Sequence, residues 1–189
     1  MSYIIPTNEL TLTDIKTFRA AAIEAVIQRA LSLGLARSRE ELVVRAALPF
    51  TDFGNGAVGW TLENYSGPVI AAAGWGSVFN AGALPANAPT LANSKVAVFY
   101  KFSDYSAAPT ITGIRFRIGG TGATTKATYF QQLETNSKLE PDFYFSEPVI
   151  YDPQDVVYLE AYYNAAVAAG AEQFAFGAFV VERLGANIS

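Results

Sequence analysis

The hydrophobic pattern of the chain changes period once. Between Thr11 and Gly34 apolar residues recur at helical spacing, and from about Pro49 onward they alternate with polar ones in short runs. In the first stretch Ile15, Phe18, Ala22, Val26, Ala30 and Leu33 trace one face. Thr11 is a good N-cap, Asp14 stands where it can return the bond, and Gly34 supplies a left-handed stop. These features predict one helix over residues 11–34. Ile23, Ile27 and Leu31 form a second apolar line, displaced by roughly 100° around the axis. The combined arc is wider than a helix resting on one sheet needs. Two readings follow: a helix wedged between its own sheet and a loop, or one that shares Ile23, Ile27 and Leu31 with a neighbouring subunit. After it, Ser38-Arg39-Glu40-Glu41 has capping-box spacing, while Leu42-Val43-Val44 is apolar and largely β-branched, and Pro49 follows soon. A brief helical turn leading into an extended stretch is expected.

Beyond Pro49 the pattern is that of strands. Val96, Val98, Tyr100 and Phe102 alternate with Lys95, Ala97, Phe99 and Lys101, and Ile114, Phe116 and Ile118 alternate with Gly113, Arg115 and Arg117. Both read as half-buried strands with one wet face. Residues 156–163 and 174–181 read as further strands, joined as a hairpin by the small residues 165–171. Weaker candidates are 59–62, 69–73, 127–132 and 143–145. The stretch 71–93, rich in Ala, Gly, Asn and Pro, lacks periodicity and reads as a long loop pinned by Trp75 and Phe79. Together these predict a mainly β chain: an antiparallel β-sandwich of jelly-roll type with a long N-terminal helix and an extended N-terminal arm. The division expected is an arm and helical region over 1–47 and a sandwich over 48–189. Strand order is taken from fold frequency.

Composition narrows the chemistry. The chain has neither Cys nor His, which removes disulfides, thiolate nucleophiles, most zinc sites and the usual proton shuttle. A net charge of −4 without any basic run leaves no footprint for nucleic acid. No apolar run approaches the ~20 residues that span a bilayer, and Met1-Ser2-Tyr3-Ile4-Ile5-Pro6 lacks the pattern of a secretion signal. The chain is therefore expected to be made in the cytoplasm, off the membrane and without cofactor or metal. Only 16% of residues are charged while aromatics make up 13%, so part of the surface is expected to be covered by partner subunits.

Carboxylate pairs capable of acid–base work on a glycosidic bond exist on paper: Glu140 with Asp142, Glu147 with Asp152, and Asp152 with Asp155. Pro141, Pro148 and Pro153 beside them point to solvated turns instead. Gly119-Gly120-Thr121-Gly122 lacks the Gly-Lys-Ser/Thr ending of a phosphate loop and reads as a hairpin connection. Trp60, Trp75 and Tyr65 could form a sugar platform, or they could pack inward as aromatics usually do. No catalytic residue is assigned.

The helix up to Gly34, the segment Leu42-Val43-Val44-Arg45-Ala46-Ala47-Leu48-Pro49-Phe50-Thr51-Asp52-Phe53-Gly54 and the sandwich ending in Val180-Val181-Glu182-Arg183-Leu184-Gly185 form a recognisable plan. It resembles the small head proteins of tailed bacteriophages, especially capsid decoration (cement) proteins. The likeness is one of architecture and transfers no individual residue. It implies a non-enzymatic virion protein on the capsid surface, contacting the major capsid protein or other virion proteins, and itself as a dimer or trimer. The adhesive residues expected are Tyr3, Ile4 and Ile5 of the arm, Ile23, Ile27 and Leu31 of the helix, and Trp75 and Phe79 of the loop, while the N-terminal segment reads equally as a terminal edge strand on the protein's own sheet. The alternatives are a head–tail connector or tail component, or a glycan-binding sandwich.

Overall fold

A computed structural model describes residues 4–6, 10–48, 52, 71–77, 90–119, 125–132, 142–168 and 171–185. The predicted helix is α1, Leu12–Ser32, and its ends are built as its sequence suggests. Asp14 N–H donates to Thr11 Oγ1 at 3.2 Å, and Thr11 N–H donates back to the Asp14 carboxylate at 2.8 Å. At the other end Gly34 takes φ +73°, which is open to it for want of a Cβ. Its N–H donates to the Leu31 carbonyl at 3.0 Å and that of Leu35 to Ala30 at 3.1 Å, a Schellman stop. Residues Arg39–Glu41 then form a single 3-10 turn that runs straight into a strand.

The strands are β1 (Ile4–Pro6), β2 (Leu42–Ala46), β3 (Gly74–Ser77), β4 (Lys95–Asp104), β5 (Ile111–Gly119), β6 (Thr125–Gln132), β7 (Asp142–Tyr151), β8 (Val156–Tyr163) and β9 (Phe174–Arg183). One sheet has the order β1-β7-β4-β9-β2 and the other β3-β8-β5-β6, with neighbours antiparallel throughout. From β2 to β9 the chain changes sheet at every connection except β5 to β6. This is the jelly-roll order, with β1 added at one edge. Of the weaker strand candidates, 127–132 and 143–145 fall within β6 and β7, 71–73 are bends, and 59–62 and 69–70 lie outside the described residues.

Several local expectations give way to this topology. Residues 165–171 do not close a hairpin, because β8 and β9 belong to opposite sheets. Val157, Leu159 and Ala161 face Phe174, Ala178 and Val180 across one core, and Val167 is buried in the same cluster. The stretch 71–93 contains a strand after all, since β3 takes its register from β8 rather than from a pattern of its own. Of the two readings of the N-terminal segment, Ile4 and Ile5 take that of an edge strand bonded to β7, opposite Phe145 and Tyr144. β2 pairs with β9 along its whole length.

The main correction concerns β4. Its Ala97, Phe99 and Phe102 lie in the core between the sheets, where Phe99–Phe116 and Phe116–Phe145 rings meet at 5.5 and 5.3 Å. The one wet face expected of this strand is missing there, because Val96 and Val98 on the other side are also fully buried, with α1 lying over them. Ala22, Val26, Ile27 and Ala30 pack there against Val96, Val98, Phe179 and Val181, with Ile23, Leu31, Leu42, Val44 and Ile150 around them. The helix thus spans β2, β4, β7 and β9, which accounts for the breadth of its apolar arc. Ile23, Ile27 and Leu31 are used by the protein's own sheet, and the reason for assigning them to a neighbouring subunit disappears.

Two substitutions test this packing. Ile27→Ala empties a fully enclosed site and should cost about 2–5 kcal/mol in chemical denaturation. Gly177 lies opposite the bulge between Phe99 and Lys101, where an added Cβ would come within 2.8 Å of Lys101 Cβ and 2.9 Å of the Tyr100 ring. Gly177→Ala should lose about 1–3 kcal/mol. Wild-type midpoints in both variants would contradict the packing described.

Candidate interaction face

Each sheet turns one side to the core, and the two differ on the other. The outer side of the five-stranded sheet is sealed by α1, whereas no described helix lies on the outer side of the four-stranded sheet. Alternation in β5 and β8 decides what that side carries. Ile114, Phe116 and Ile118 point inward, as do Val157, Leu159 and Ala161, which leaves Arg115, Arg117, Glu160 and Tyr162 outward. The half-wet face expected of residues 113–118 is therefore present. Register then sets Trp75 of β3 opposite Tyr162 and Arg115 opposite Glu160.

These side chains make one connected patch. Arg115 Nε donates to Glu160 at 2.7 Å, and Arg117 approaches the same carboxylate at 3.7 Å. The Arg115 guanidinium lies 4.3 Å from the centre of the Trp75 ring, while the Tyr162 ring meets Trp75 edge-on at 5.4 Å. Cation–π contact is worth about 0.5–1 kcal/mol at an exposed site and more once water is excluded. The patch is thus pre-ordered, and covering it would strengthen it.

The predicted adhesive residues do not come together. Trp75 belongs to this patch, while Ile23, Ile27 and Leu31 lie under α1 on the opposite sheet, and β1 with Ile4 and Ile5 edges that same opposite sheet. Tyr3 and Phe79 lie outside the described residues, as do Trp60 and Tyr65. Sequence reasoning missed Arg115, Arg117, Glu160 and Tyr162 as site residues. The wet side of residues 113–118 marked the two arginines, but no local signal could pair Tyr162 with Trp75.

The carboxylate pairs hold structural posts. Asp152 N–H donates to Asp155 at 2.8 Å within the β7–β8 turn, and Arg29 of α1 donates to Asp152 at 2.7 Å. Asp142 accepts from Lys101 at 3.0 Å, Glu147 is exposed, and Glu140 lies outside the described residues. At one end of the sandwich Asp52, with its side chain fully enclosed, takes Arg45 at 2.6 Å and Lys95 at 2.8 Å, while Arg45 also holds Glu182 at 2.9 Å. Among the described residues no three His, Cys, Asp or Glu side chains form a metal-ligand group. No described helix is long and apolar enough to cross a membrane.

No protein-family model matches the chain, and no curated protein matches it by sequence. Solved structures similar to it include the infectious bursal disease virus VP2 subviral particle, with a TM-score of 0.41 and 12% identity over 79% of this chain and 34% of that one. The structure of the Gx strain of that virus gives a TM-score of 0.38 with 14% identity, over 79% and 34%. Its T13 viral particle gives 0.35 with 12%, over 78% and 32%. The chain spans about a third of each of those chains, and the likeness adds nothing to the strand order described above.

The buried quartet of Arg45, Asp52, Lys95 and Glu182 yields a pH prediction. Burial pushes the Asp52 carboxyl up, but hydrogen bonds from Arg45, Lys95 and the Leu48 N–H outweigh it, and its pKa falls below the ordinary 3.8. A depressed folded pKa contributes stability above the unfolded value that is lost as pH falls through the folded one. Asp52→Asn should cost about 3–5 kcal/mol at neutral pH, since it leaves two cations short of a partner. Thermal melts should show the gap between variant and wild type closing below about pH 4; a gap independent of pH would refute the assignment.

Proposed function

We propose that this chain is a non-enzymatic virion structural protein that binds a phage capsid shell and stabilises it from outside. The observation supporting this most directly is the outer side of the four-stranded sheet, where no described helix lies and Trp75, Tyr162, Arg115 and Arg117 stand together. Trp, Tyr and Arg are the residues enriched at protein–protein contacts. Jelly rolls serve viral capsids and lectins alike, so the fold by itself does not choose between them. The Trp75 ring favours a protein partner: Arg115 stacks on it and Tyr162 packs against it, whereas sugar stacking needs a free ring face. The partner is the major capsid protein or another virion protein, and repetition over a shell lets each contact be modest. A head–tail connector or tail component would use similar contacts in far fewer copies.

Co-sedimentation with purified capsids tests this reading. Trp75→Ala should weaken binding by about 2 kcal/mol, roughly thirtyfold, if Trp75 is a central anchor, with little change in melting temperature. Full-length protein that ignores capsids and binds a glycan array instead would replace the proposal with the lectin reading. Deleting residues 1–10 separates two roles of the N-terminal segment. The pairing of β1 with β7 favours an edge strand, so the truncation should lower the melting temperature while capsid binding persists. Loss of binding with an unchanged melt would reinstate Tyr3, Ile4 and Ile5 as a contact arm.

A further inference from the structure

At the end of the sandwich away from Asp52, the β4–β5 connection (105–110) meets the residues leading into β9 (171–173). Glu172, 1% exposed, accepts from the Thr110 N–H at 2.6 Å and from the hydroxyls of Thr110 and Ser106. Asp104, the last residue of β4 and 9% exposed, accepts from the Ser106 N–H at 2.9 Å. Gln173 N–H donates to Ser106 Oγ at 2.8 Å, Tyr105 N–H to the Gln173 carbonyl at 2.7 Å, and Asn164 N–H to the Thr110 carbonyl at 2.9 Å. Glu172 thus ties the two segments together, Asp104 holds the first of them, and both accept from neutral donors.

The surroundings supply no counter-charge among the described residues. On β4 the nearest cation, Lys101, is taken by Asp142 of β7 at 3.0 Å. On β8 the fully buried Tyr163 carries a hydroxyl with no hydrogen-bond partner. On β5 and β9 the adjoining residues are Ile111 and Phe174, both apolar and buried, and Tyr105 of the loop is exposed. Ionising Asp104 in such a site, beside a second acid, is costly. Burial pushes the Asp104 carboxyl above its ordinary range, the Glu172 charge adds to this, and the bonds from Ser106 offset only part. Burial, with the same two acids, also pushes the Tyr163 phenol up.

We propose that this end of the sandwich is a proton-operated latch: a proton held by Asp104, buried beside Glu172, keeps the β4–β5 connection closed against residues 171–173, and its loss loosens the two. A folded pKa raised above the unfolded one gives stability that is complete below about pH 4 and disappears as pH rises through the folded value. The dependence is opposite in sign to that of Asp52 at the other end. A bound cation is the alternative way to neutralise the pair. Against it, the Glu172 oxygens are already engaged by three donors, one of them a backbone N–H.

Hydrogen exchange on the full chain tests the latch, read at the amides of Tyr105, Ser106, Thr110, Asn164 and Gln173 and corrected for intrinsic rates. Between about pH 4 and 7 wild-type protection should fall, while Asp104→Asn, which keeps the acceptor for Ser106, should stay protected throughout. Glu172→Gln, which removes the neighbouring charge but not the burial, should move the fall in protection to lower pH, and Tyr163→Phe should leave the pH dependence in place. A flat wild-type profile, or an unchanged pH dependence in Asp104→Asn, overturns the proposal. So does restoration of neutral-pH protection by millimolar calcium, which would make the cluster a cation site.

Discussion

Val96 and Val98 on one side of β4, and Ala97, Phe99 and Phe102 on the other, are all fully buried, so this strand has to be covered twice. The second sheet covers it once and α1 covers it again. Losing either layer would bare a row of large apolar side chains at roughly 25 cal/mol for each Å² exposed. The position of the helix follows from this need, and so does the breadth of its apolar arc. Arg29 adds a tether, reaching from the last turn of α1 to Asp152 in the β7–β8 turn. With one outer face spent on this seal, the four-stranded sheet retains the other.

The same asymmetry extends to the ends of the sandwich. One end is closed by a quartet of two cations and two anions, which fastens Asp52 to β2, β4 and β9. The other is closed by two acids on neutral donors. Buried ion pairs add little net stability but penalise mispairing heavily, which suits a strand order built from distant partners. Buried acids without a cation add a dependence on protons instead. The two ends therefore respond to pH in opposite directions, within one core.

Such an architecture suits a protein whose work is done by a surface. Register brings Trp75, Tyr162, Arg115, Arg117 and Glu160 into one patch on the four-stranded sheet. Their mutual contacts order the side chains beforehand, which in the proposed role would lower the entropy lost on binding. A binding role of this kind needs neither His nor Cys, and the chain has neither.

The local features were legible in the chain itself. The Thr11–Asp14 capping box, the stop at Gly34, the helix between them and the strands β4, β5, β8 and β9 all rest on neighbours a few residues apart. The wet side of β5 with Arg115 and Arg117 was legible for the same reason, since alternation is a local signal. Tertiary structure alone decided what covers each face. Alternation in β4 looks the same whether the outer row meets water or a helix, and only the fold put α1 over Val96 and Val98. It also decided that β8 and β9 face each other instead of pairing, that β3 exists, and that Trp75 meets Tyr162 and Arg115. These depend on contacts between residues far apart in sequence, whose free energy comes from burial shared by several elements at once, so no single stretch of the chain carries it.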